Sequence, residues 1–130
     1  MIDSRRALQV TVVGLGALAT TTGVAALARG TAVVRDAPPP HPNVESEHRY
    51  FAAWWTALGP VLWSLAPDIE RHERAVRGIA AATFTGGLAR LLAARQVGAP
   101  HPLYRVLTGI ELALPPVLVA WQRAARDGSR

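Results

Sequence analysis

The apolar residues of this chain fall in four long blocks, and most of its charged residues collect between them. A soluble helical domain would carry charge on each turn of its outer face. Blocks whose charges gather at their ends predict helices that cross a bilayer. The first block runs from Ala7 to Ala28 without a charge, between Arg5 and Arg6 on one side and Arg29 on the other. At 1.5 Å rise per residue it is about 33 Å long, enough for a hydrocarbon core of about 30 Å. Gly14, Gly16 and Gly23, with Thr20, Thr21 and Thr22, predict a close neighbour for this helix. Ala26-Leu27-Ala28 also fits a signal-cleavage site, but the block is longer than the ~7–15 residues of a signal core.

Residues 30–48 follow as an external Pro-rich loop, stiffened by Pro38, Pro39, Pro40 and Pro42. The second block covers residues 50–66, with Trp54, Trp55 and Trp63 towards its ends, where amphipathic rings favour the headgroup level. Gly59-Pro60 predicts a kink within it. The polar stretch from Asp68 to Arg74 is short enough to join only antiparallel neighbours. The third block, 75–94, contains Arg77 and Arg90. The fourth, 103–121, is interrupted by Glu111 and Pro115-Pro116. The expected fold is therefore all-α: a four-helix transmembrane bundle, antiparallel and up-down-up-down, forming one integral membrane domain over residues 1–130.

Charge then sets the orientation. The net charge of +5 comes from fourteen Arg and no Lys. These arginines form no single stripe interleaved with aromatics, so no nucleic-acid partner is expected. Arg5, Arg6, Arg71, Arg74, Arg77, Arg123, Arg126 and Arg130 lie on one predicted side, against Arg29, Arg35, Arg49, Arg95 and Arg105 on the other. The positive-inside rule puts both termini in the cytoplasm and the Pro-rich loop outside a multi-pass inner (plasma) membrane protein. The chain has no Cys, which excludes disulfides and thiol chemistry.

Candidate chemistry is sparse. Arg90 and Glu111 are charges inside predicted spans, where an unpaired charge costs at least ~2.5 kcal/mol. About five residues below the outer end of one helix and about eight below that of the next, their depths differ by only about 5 Å. An ion pair is the expected solution, either as a clamp fixing helix register or as part of a polar or proton-coupled site. Arg49, Glu47 and Asn43 could join such a cluster from the outer side. Gly86 and Gly87, with Thr83 four residues before Gly87, read as a close helix crossing. His41, Glu45 and His48 lack the ligand spacing typical of zinc, so neither a metal nor a cofactor is expected. No phosphate-cradling loop, nucleophile elbow or paired-carboxylate site is present to mark an enzyme.

The segments Asn43-x-x-x-Glu47-x-Arg49-Tyr50-Phe51, Trp63, Pro67 and Glu70, Phe84-Thr85-Gly86-Gly87-Leu88-Ala89-Arg90, Gly98-x-Pro100, and Glu111 with Pro115 resemble a family of small bacterial membrane proteins. That family is catalogued as a domain of unknown function, number 4345. The resemblance covers nearly the whole chain, is most specific from Phe84 to Arg90, and implies four transmembrane helices with the first retained. It implies no activity. More distantly, the plan is similar to the DoxX-like group, some of whose members are linked to quinone-dependent oxidation, although no motif here carries that role. The expectation is a non-catalytic structural or partner subunit in the lipid bilayer, as a homo-oligomer or with another membrane protein. The alternatives are a quinone-associated redox subunit and a small proton-coupled transporter.

Overall fold

The computed structural model describes residues 3–128. Among these the chain is all-α, with four long helices: α1 (Ser4–Arg29), α2 (Pro42–Leu65), α3 (Glu73–Val97) and α4 (Pro102–Asp127). They form two compact units, one ending at Pro67 and holding α1 and α2, the other starting at Asp68 and holding α3 and α4. Within each unit the helices run antiparallel. Trp63 reaches Val13 while Thr20 reaches Thr56, and Arg126 reaches Glu73 while Arg90 reaches Glu111.

Every helix outruns its apolar block, and the reason is local. Asp3 caps α1 by accepting from the Arg5 N–H at 3.1 Å, which adds a polar first turn ahead of Ala7. The expected loop over 30–48 needs correction. Gly30–Val33 is a 3₁₀ turn, and α2 starts at Pro42. His41 Nδ1 accepts from the Asn43 N–H, Pro42 takes the first helical position where no donor is lost, and Glu45 sits in the first turn near the positive end of the helix dipole. The same His-Pro start opens α4, where His101 Nδ1 accepts from the Leu103 N–H at 3.1 Å. α1 and α3 stop at Gly30 and Gly98, whose φ and ψ angles of 58° and −143°, and of 115° and 168°, are combinations that favour glycine.

The α1–α2 interface is made of small residues. Leu8, Val12, Gly16, Ala19, Gly23 and Ala26 are the buried positions of α1, three or four apart on one face. A Cβ at Gly16 would stand 2.6 Å from Trp63 Nε1, one at Gly23 2.7 Å from the Thr56 N, and one at Gly59 2.5 Å from the Gly16 carbonyl oxygen. Backbone therefore meets backbone. That closeness repairs a defect in α2, which runs through Pro60 without ending. Proline has no N–H, so the Thr56 carbonyl loses its helical donor. The Thr20 hydroxyl of α1 donates to it instead, at 3.2 Å. Trp55 Nε1 donates to Thr22 Oγ1 at 2.8 Å and Trp63 Nε1 to the Val13 carbonyl at 3.1 Å. Both indoles thus tie α2 to α1, a role beyond anchoring at a headgroup level. At the far end Arg5 and Gln9 both donate to the Pro67 carbonyl at 2.9 Å.

The large apolar side chains point away from these interfaces. Val10 is 72% exposed, Leu18 56%, Trp54 66%, Leu92 55% and Val106 61%. Two helical stretches, Ser4–Val33 and Pro102–Asp127, are long and apolar enough to cross a membrane.

Candidate functional site

In the second unit α3 and α4 bring Arg90 and Glu111 together. Arg90 Nε donates to Glu111 Oε2 at 2.7 Å, with the two side chains 42% and 22% exposed. These two residues, 21 positions apart and expected from their depths to pair, are ion-paired. Packing explains how the carboxylate is held. A Cβ on Gly87 would lie 2.9 Å from Leu112 Cδ2 and 3.3 Å from Glu111 Cβ, so α4 closes on α3 one turn before Arg90. Gly87 is that crossing, while Gly86 has nothing within 4 Å of its Cβ position. One residue turns a helix by ~100°, which suffices to separate two adjacent glycines between a packed and an open face.

Arg49 has a different partner. Its Nε donates to Glu45 Oε1 at 2.8 Å, and its guanidinium also donates to the Leu27 carbonyl in the last turn of α1. Glu45 Oε2 accepts from the Thr31 N–H at 3.0 Å and the Thr31 hydroxyl at 2.7 Å. These bonds hold the Glu45 carboxyl well below its ordinary value, at about 2; the backbone N–H of Thr31 is the largest cause, followed by its hydroxyl and by Arg49. The cluster closes the α1–α2 connection. Asn43 and Glu47 are exposed on the same first turns of α2. Arg49, Asn43 and Glu47 belong to the first unit, and Arg90 with Glu111 to the second. Glu45 and Thr31, the centre of this arrangement, carried no site role in the sequence reading. The available signal was Glu45 three residues after Pro42, an acid in the first turn of a helix starting with proline.

A second ionic centre lies at the other end of α3. Glu73 accepts from Arg126 Nη1 at 2.6 Å and also pairs with Arg77 one turn on. Beside it Gln122, 2% exposed, donates from Nε2 to the Ile69 carbonyl at 2.5 Å. Among the described residues no three His, Asp or Glu side chains converge as metal ligands.

A family model described as a domain of unknown function, DUF4345, matches residues 7–122. The chain belongs to that family. The matched span includes Glu45, Arg49, Arg90 and Glu111, so the DUF4345 domain contains two of the three polar centres and, of the four helices, leaves out only the start of α1 and the end of α4. No curated protein and no solved structure matches the chain.

Chemically, every carboxylate of these centres is matched. Glu45 accepts three hydrogen bonds, and Glu111 and Glu73 each face arginine. The arrangement can hold helices in register.

Proposed function

We propose that this DUF4345 protein is a multi-pass integral membrane protein without catalytic activity of its own, a structural or partner subunit of the plasma membrane with both termini in the cytoplasm. One observation carries this reading: apart from Leu8, Val12, Leu62 and Ile69 the buried apolar residues are small, and most of the large apolar ones are exposed. In water the hydrophobic effect would turn Val10, Leu18, Trp54, Leu92 and Val106 inward. In lipid they are already solvated, and helices associate through small residues and hydrogen bonds. The exposed Thr21, Thr22 and Thr85 agree, since each hydroxyl donates to a carbonyl of its own helix and needs no water. Within this reading Arg90–Glu111 is a clamp between α3 and α4. The open side of α3 at Gly78 and Gly86 gives a neighbouring helix room to approach.

The natural chain has no cysteine, so single cysteines report position cleanly. Ala37→Cys in the Pro-rich connection is expected to react with an impermeant maleimide in intact cells, and Gly128→Cys only after permeabilisation. The protein is expected to stay in the membrane fraction through alkaline carbonate washing. Release by carbonate would overturn the membrane reading, and reversed labelling would overturn the orientation.

A further inference from the structure

The α3–α4 unit carries a shallow apolar groove of about 450 Å³ with two arginines at one end. Arg77 of α3 and Arg123 of α4 meet there because the antiparallel helices bring the start of one beside the end of the other, where Glu73 contacts Arg126. Ala81 and Phe84 continue the groove along α3, and Pro116 and Ala120 along α4. From Arg77 to Phe84 a helix rises about 10 Å. The apolar floor therefore leads away from the charges for a distance that a headgroup alone cannot use.

The charge at this end is in excess. Glu73 is shared by Arg77 and Arg126, and Asp127 lies 3.7 Å from Arg126. Among the described residues Arg123 has no carboxylate in ion-pair contact. Arginines that only anchor a helix need water above them and no shaped apolar surface below. Here the cationic end and the floor are continuous.

The geometry points to an anionic phospholipid as the occupant of this groove, with its headgroup phosphate on Arg123 and Arg77 and one acyl chain along Ala81, Phe84, Pro116 and Ala120. Guanidinium donors suit phosphate oxygens, and basic recesses between membrane helices on the cytoplasmic side suit acidic headgroups. A zwitterionic lipid offers the same chain but brings a cation to the same arginines. A soluble phosphate offers no chain.

This inference rests on the membrane reading above, and carbonate washing tests that reading before any lipid is added. The full-length protein is then extracted in mild detergent, and native mass spectrometry follows titration with phosphatidylglycerol or with phosphatidylcholine of identical chains. Phosphatidylglycerol is expected to bind at about fivefold lower concentration or better, and Arg123→Gln to remove about fivefold of that preference. Arg95→Gln, near the opposite end of α3, is expected to leave it unchanged. Ala120→Leu, at an exposed position on the groove floor, is expected to weaken both lipids and keeps the test open if Arg123→Gln does not fold. Equal binding of the two lipids would overturn the proposal. So would an equal loss in Arg95→Gln, which marks diffuse surface charge, or competition by glycerol phosphate as strong as by the whole lipid.

Discussion

Along the facing lengths of α1 and α2 the tertiary contacts are neutral, made by glycines at 16, 23 and 59, a threonine on an orphaned carbonyl and two indole N–H donors, while the charged contacts of Arg5, Glu45 and Arg49 sit at the two ends. Between α3 and α4 they are ionic and sit at two levels, Arg90–Glu111 and Glu73–Arg126, with Gly87 as the close approach beside the first. The first interface depends on absent side chains and neutral donors, the second on paired charges. In the proposed lipid setting, a medium as apolar as leucine gives helices no hydrophobic reason to associate, and these are two available substitutes. The α1–α2 solution tolerates no added volume, whereas the α3–α4 solution tolerates no unmatched charge.

Substitutions can break this contrast, starting with the largest effect. Gly59→Ala puts a Cβ against the Gly16 carbonyl and Thr20, where backbone must move, and is expected to cost about 3 kcal/mol in detergent unfolding. Gly86→Ala, with open space around it, is expected to cost nothing and to gain up to ~1 kcal/mol of helix propensity. Equal losses for the two would remove the packing argument. Next, Glu111→Ala leaves Arg90 unmatched and should cost about 2.5 kcal/mol, the low end for a charge in a span because arginine can snorkel. Replacing both residues by leucine should recover most of that loss in the same measurement. A double variant as unstable as Glu111→Ala would mean that the pair does more than neutralise itself.

Smaller effects sharpen the comparison. Thr20→Val keeps the shape but removes the hydroxyl that serves the Thr56 carbonyl, with an expected loss of about 1 kcal/mol in unfolding free energy. The last effect appears only in acid. Glu45 titrates at about 2 in the fold against an ordinary 4.5, so its contribution is complete above pH 4.5 and disappears as pH falls through about 2. The melting temperature of the natural protein should fall more steeply over that window than that of Glu45→Gln. Parallel curves would exclude Glu45 as the cause.

Four helices and the Arg90–Glu111 pairing were legible in the sequence because both follow from one-dimensional quantities, block length and depth from a turn. The start of α2 was hidden by the proline run. Pro38, Pro39 and Pro40 do belong to the connection, whereas Pro42 is the first residue of a helix, and only its His41 cap distinguishes the two uses. Thr20, Trp55 and Trp63 could not be assigned because their partners are set by the register of α1 against α2. Gly86 and Gly87 were inseparable because α3 carries apolar residues on both faces. Glu45 went unplaced for a further reason: its main partners, Thr31 and Leu27 by way of Arg49, lie across a turn whose shape depends on Gly30.

Both helix pairs share one punctuation, a glycine stop followed by a His-Pro start. Each pair is thus a hairpin that can close as soon as its second helix has been made, without waiting for the other. For a chain entering a bilayer during synthesis, the order matters. Arg90 leaves the ribosome 21 residues ahead of Glu111 on the adjoining limb of the same hairpin. On the proposed membrane reading, the carboxylate then meets its counter-ion during insertion, and neither charge has to search the membrane for a mate.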